Sequence, residues 1–516
     1  MKLKQKSLVS QGSISRMLQA AEQAWEQGDF QQNLELLERA SRLDPANSNI
    51  LFQLGQVHGS RYNYAAAEKY LERAVRIAPD KTAALATAAQ MSTNFASHQL
   101  ADRFFQRALA HQNVSPETIV RLAELYERLR RLPEARSLIA RALHSDGNCA
   151  PALLVLARLE RQDGKLEEAE RLLRAFPAGA DRDTKIRSLY ELGSVLDRQK
   201  RYDEAMSAFL EAKALLSSAA PPLLAQRQAT RAYFKKLEAD ITPEILKRWR
   251  DAGAALQPAR RIAFLGGFPR SGTTLLEQVL DSHPDIVSAE ETAIFRDDAY
   301  RPLIKSFPPD TPMLSVLESA QTGALQRSRE IYFRAVELHQ GGPIGSRLLI
   351  DKNPAITFLF PAFLRVFPET KLLVALRDPR DICLSGFMQA YVPLNSGSAP
   401  YLNLETTAEA YAGMMGLWRT LKLLLANPFL EIRYEDMVED LEGVARKTLE
   451  FLGVVWDERV LRFDEHARNK RVRSPTYADV AQPIFKRARG RWLNYQKYFE
   501  PHQEKLAPFV KAFGYE

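Results

Sequence analysis

Cysteine is almost missing from this chain: Cys149 and Cys383 are the only two in 516 residues. Two thiols so far apart exclude a disulfide framework and a cysteine-based zinc site. Apolar runs are short, and none approaches the roughly 18 residues a membrane helix needs, so no membrane span is expected. The opening MKLKQKSLVSQGS is basic but has no apolar centre, which argues against a signal peptide. Long Lys/Arg tracts are lacking as well. With a net charge of +8, the mild basic excess therefore fits a small anionic ligand better than nucleic acid or a membrane surface. These absences predict a cytoplasmic protein with no nucleic-acid partner.

What is present first is a period. Ala40, Ala74, Ala108 and Ala142 recur every 34 residues, followed by Ala175 and Ala212. A second series, Ala67, Ala101, Ala135, Ala169 and Ala205, runs six or seven positions ahead of its partners. Turn residues keep the same beat at Gly28-Asp29, Tyr62-Asn63, Asp163-Gly164 and Arg201-Tyr202. Small residues at fixed phase let two helices approach closely, and the proline of Asp44-Pro45 and at Pro79 ends the second helix of a pair. The pattern resembles the tetratricopeptide repeat in about six copies, an α-solenoid whose groove takes a peptide or protein partner. We place a tail at 1–12, the array at 13–218, connecting helices at 219–258 and a second domain at 259–516.

That second domain alternates apolar runs with helical patterns. Ile262–Leu265, Arg347–Ile350, Lys371–Leu376 and Phe429–Tyr434 read as parallel strands buried on both faces. Their tips carry Arg270, Lys352, Arg377 and Tyr434, and ligands in such sheets bind beyond the carboxyl ends of strands. The first strand runs into a glycine turn and a helix, Gly266 to Leu280, the layout that holds a phosphate with backbone N–H groups and a helix N-terminus. The spacing from Gly267 to Gly272 is that of a P-loop, but Thr273 stands where the nucleotide motif requires Lys. A P-loop kinase or NTPase is therefore disfavoured. A non-enzymatic repeat scaffold with a degenerate second domain is the other alternative.

Three motifs in order carry a family resemblance: FPRSGTTLLEQVLDSHPDI, LLVALRDPRDICLSGF and Tyr434-Glu435-Asp436-Met437. They resemble the sulfotransferases, and with Ala289-Glu290-Glu291-Thr292, Asp351-Lys352-Asn353-Pro354 and Gly490-Arg491-Trp492 the match is nearest the tyrosylprotein sulfotransferase branch and its bacterial relatives with tetratricopeptide repeats. The resemblance implies an α/β domain with a P-loop-like turn and a parallel sheet behind the α-solenoid. It implies a donor, 3′-phosphoadenosine-5′-phosphosulfate (PAPS, product PAP), and no metal. Pro269, Arg270, Ser271, Gly272, Thr273 and Thr274 would hold its 5′-phosphosulfate, and Arg377, Ser385 and Arg491 its 3′-phosphate, with Tyr434 beside the adenine. Glu291 would be the general base, and Lys352 and Thr476 would attend the leaving oxygen. One departure is Ala293, where animal members carry an Arg that positions the peptide acceptor. The acceptor hydroxyl thus stays open among a protein tyrosine, a sugar and a lipid.

Overall fold

The computed structural model describes residues 2–111, 114–308, 311–469 and 488–516. The chain forms two compact units, Met1–Leu159 and Glu160–Glu516. The first is built of paired helices: Lys2–Glu26 with Phe30–Leu43, Ser48–Ser60 with Tyr64–Ile77, Lys81–Asn94 with His98–Leu109, and Pro116–Arg128 with Leu132–Ser145. Side-chain caps start many of them, among them Asp29, Asn47, Asn63, Asp80 and Ser115. Each satisfies an N–H the first turn leaves open.

The small-residue series does the packing it predicts. Ala40, Ala67, Ala74, Ala101, Ala108, Ala135 and Ala142 are all wholly buried. The turn inside each pair requires a left-handed residue, and positive φ recurs at Gly28, Tyr62, Ala96, Arg130 and Gly164, each 34 residues from the last. One expectation fails. Ala175 is exposed, because the helix Leu166–Arg174 ends one residue before it.

The second unit opens with Leu166–Arg174, Arg182–Arg198 and Tyr202–Leu216, then Ala220–Asp240 and Pro243–Ala252. Thr242 caps the last of these, with Pro243 in its first turn. Five parallel strands follow: β1 Ile262–Gly267, β2 Ile286–Glu290, β3 Leu348–Lys352, β4 Lys371–Leu376 and β5 Phe429–Arg433, in spatial order β2-β3-β1-β4-β5. β2 is absent from the sequence reading; it is a short edge strand ending in Glu290. The helix Thr273–Asp281 buries Leu276, Val279 and Leu280 against Ala263, Leu265, Ile350 and Leu373 on one sheet face. Phe264, Phe295, Phe360 and Phe363 pack in tilted and edge contacts on the other.

Within this unit the last repeat helices are joined to the sheet layer. Lys213 is buried between the rings of Tyr190 and Phe387 and donates to the Tyr401 carbonyl at 2.6 Å. Burial lowers its pKa to about 7. Asp197, on the helix Arg182–Arg198, accepts from the Tyr495 hydroxyl at 2.6 Å.

Candidate functional site

All five strands deliver a candidate residue at the carboxyl edge of the sheet. β1 runs into the turn at 268–272, which must be tight. A Cβ on Gly267, whose φ is 133°, would lie 2.5 Å from the Ala375 carbonyl oxygen. One on Gly272, φ 96°, would lie 2.7 Å from the Tyr434 ring. Neither position accepts another residue without backbone movement. Thr357 braces the turn, its hydroxyl donating to the Gly267 carbonyl and accepting from the Gly267 N–H. Gly272 then starts the helix Thr273–Asp281 without a side-chain cap. The first-turn N–H groups at Thr273 and Thr274 are left for an anion.

Arg270 and Arg377 share one cleft. Arg377, just past β4, donates from Nη1 to the Arg270 carbonyl at 3.3 Å, and Arg270 donates from Nε to the Ser385 hydroxyl at 3.1 Å. The Arg377 guanidinium lies over the Tyr434 ring, 4.9 Å from its centre, and Tyr434 in turn packs on Gly272. Among the described residues two buried polar atoms here have no hydrogen-bond partner: the Ser271 hydroxyl and Arg377 Nε. Orphaned donors on the turn and on the facing Arg fit an anionic ligand spanning both. Glu435 anchors the edge by accepting from the Asp378 N–H and from the Tyr515 hydroxyl.

The second cluster lies across β2 and β3. Lys352, wholly buried, places Nζ 2.8 Å from Glu291 Oε1, 3.1 Å from Glu277 Oε2 and 4.0 Å from Glu290 Oε1. Burial would lower the Lys352 pKa, yet the carboxylates of Glu277, Glu291 and Glu290 together raise it above the ordinary lysine value. Glu291 has φ 44° and Arg270 φ 78°, in a region that favours glycine. Such strain gathers at functional sites.

Asp351 points to the other sheet face, as the strand period dictates. There the Tyr332 hydroxyl donates to its Oδ2 at 2.7 Å. Burial first, and then Glu277, push its pKa to about 7 against the hydrogen bond from Tyr332. A carboxyl whose folded pKa exceeds its unfolded one favours the fold when protonated. Stability from this group is full below the unfolded value of 3.8 and is lost as pH rises through about 7. The difference is worth about 4 kcal/mol. Melting curves should therefore show the wild type losing ground to Asp351→Asn between those two pH values; a constant gap would refute the assignment.

Not every expected residue joins the cluster. Arg491 does not turn to Arg377. Its guanidinium pairs with Asp197 at 2.8 Å, while the flanking Gly490 and Trp492 N–H groups bond Asp381. Asp197 offers a half-buried, charge-assisted partner that the motif alone could not reveal. Thr476 lies outside the described residues. Tyr391 was missed by the sequence reading. It is half-buried and stacked on Tyr401, and its hydroxyl feels both Arg270 and Glu291, which push its pKa in opposite directions after burial has raised it. Its one signal is position, six residues beyond Ser385. Among the described residues no helix is long and apolar enough to cross a membrane, and no group of three His, Cys, Asp or Glu could hold a metal ion.

Parts of the chain are similar to known proteins. Residues 263–458 match the sulfotransferase family. Residues 24–91, 120–183 and 186–215 match tetratricopeptide repeats. The chain thus carries a sulfotransferase-family domain behind tetratricopeptide repeats. Its relatives include an uncharacterized protein of Aquifex aeolicus, 24% identical over 405 residues that cover 77% of this chain and 50% of that one. Protein-tyrosine sulfotransferase 1 of Danio rerio is 24% identical over 263 residues, 49% of this chain and 72% of that one. The chain spans only half the length of the Aquifex relative. Among solved structures, the sulfotransferase domain of the Synechococcus PCC 7002 olefin synthase is 22% identical, covering 50% of this chain and 97% of that one at a TM-score of 0.35.

Proposed function

We propose that this protein is a PAPS-dependent sulfotransferase (EC 2.8.2 class) acting on an acceptor hydroxyl, with the repeat groove taking a peptide or protein substrate or partner. The observation that carries the reading is the shared cleft, in which Arg377 reaches the Arg270 carbonyl and Arg270 reaches Ser385. PAPS supplies the sulfuryl group: a bond forms from the acceptor oxygen to sulfur, and the bond from sulfur to the bridging phosphate oxygen breaks, leaving PAP. The turn Pro269–Thr274 holds the 5′-phosphosulfate with backbone N–H groups, the Ser271 hydroxyl and Arg270. Arg377 and Ser385 hold the 3′-phosphate, for which a planar guanidinium is suited. Tyr434 flanks the adenine.

Glu291 takes the acceptor proton. Lys352 donates to the bridging oxygen as it gains charge. Thr476 is assigned to the same oxygen on the family pattern alone. A tyrosine side chain is one acceptor to try first, given the names of the relatives, although Ala293 replaces the Arg that positions the peptide in animal members.

The test is calorimetry with PAP. The wild type should bind PAP without Mg²⁺, and Arg377→Ala should bind about 10- to 100-fold more weakly, the value of a charge-assisted contact. Equal affinities would remove the 3′-phosphate site. No binding of PAP alongside Mg²⁺-dependent binding of ATP would replace the reading with a nucleoside triphosphatase.

A further inference from the structure

The Lys352 cluster holds more carboxylates than the proposed chemistry uses, and they are not equivalent. Glu291 lies at the mouth, its side chain 31% exposed, whereas Glu277 is wholly enclosed. Glu277 sits in the helix that follows the phosphate turn, between Thr274 and Asp281. One of its oxygens meets Lys352 Nζ, and the other accepts a bond from the Ser288 hydroxyl on β2. The carboxylate is therefore fixed from two sides. Glu290 stands farther off at 4.0 Å, beyond hydrogen-bond reach of the ammonium. Asp351 is on the opposite sheet face with Tyr332.

We infer that Glu277 is the positioning residue for Lys352, its permanent partner, while Glu291 is the partner that Lys352 exchanges for the leaving oxygen. The inference rests on the proposed sulfuryl transfer. An ammonium enclosed this completely needs a counter-charge at every stage. When Lys352 turns to the bridging oxygen it gives up Glu291, which leaves that carboxylate free to take the acceptor proton. Glu277 then keeps the lysine protonated and aimed. Among the described residues no other carboxylate is both enclosed and in contact with the ammonium. The arrangement also links the phosphate turn to the acid–base pair, because the helix that presents N–H groups to the donor carries Glu277 one turn farther on.

The test uses full-length protein and measures PAP release from PAPS, with a phenol as acceptor and with water alone, so that no natural acceptor need be known. Glu277→Gln keeps the shape and the Ser288 contact but loses the charge. PAP affinity should stay within about threefold of wild type, and kcat should fall about 10- to 100-fold, the scale of one lost electrostatic contact in a water-excluded site. Its kcat should also decline at alkaline pH, where the wild type stays level, because Lys352 without Glu277 loses its proton more readily. Glu291 and Glu290 remain in both proteins and do not produce the difference. Glu277→Asp, which keeps the charge at shorter reach, should lower kcat and restore the level alkaline profile.

Wild-type kcat and an unchanged pH profile in Glu277→Gln would overturn the inference while leaving sulfuryl transfer in place. Should Glu277→Gln fail to fold, a wild-type kcat in Glu277→Asp would overturn it. Absence of PAP release from the wild type would instead sink the proposed function beneath it.

Discussion

Replacing Glu291 with Gln is expected to slow transfer to a phenolic acceptor by about two to four orders of magnitude, the range for loss of a positioned general base. PAP affinity should change little, since the proposed donor contacts belong to Arg270, Arg377 and the turn. The geometry gives the reason. Glu291 follows β2 at the edge where β1 and β3 also end, and its N–H bonds the Lys352 carbonyl at 2.8 Å. The backbone tie fixes the carboxylate beside Lys352 Nζ. Gln retains this tie and a hydrogen-bonding oxygen but cannot accept the proton. The measurement is kcat and PAP affinity side by side. Turnover at the wild-type rate would remove Glu291 as base, and a fall in PAP affinity matching the fall in rate would reassign it to donor binding.

Lys352→Met should cost about 3–5 kcal/mol of stability, the scale for leaving buried charge without its partner, and should depress PAP release as well. Glu277 and Glu290 are enclosed, and the ammonium is the cation they share with Glu291. With it gone, the enclosed carboxyls have lost their counter-charge, and the fold favours their neutral form. Stability should then be present at acid pH and be lost as pH rises, the reverse of a paired carboxylate. Thermal melts of both proteins across the pH range decide it. A deficit independent of pH would mean that the cost is packing and not charge.

The outline of this protein could be read in advance where periodicity is strong. The 34-residue alanine series predicted the helix pairs, and four apolar runs, three of them with cationic tips, predicted β1, β3, β4 and β5, although β5, at the sheet edge, is only half-buried and not buried on both faces. What escaped was local chemistry that only folding creates. β2 has just Ile286 and Val287 before Ser288, and its polar end contacts Lys352, so alternation never develops. Glu277 in sequence is one polar residue in an amphipathic helix and would be assigned to a solvated face. Its burial becomes visible only once Lys352 arrives from β3. Arg491 likewise carried no indication that Asp197, nearly 300 positions earlier, would capture it.

The left-handed backbone at Arg270 and Glu291 has a corollary for redesign. Each position would sit more comfortably as glycine, which escapes a conformational penalty of about 1–3 kcal/mol. A thermostabilising substitution there would remove a guanidinium that bonds Ser385 or a carboxylate that pairs with Lys352, so sturdiness gained at these two places is taken from the cleft itself.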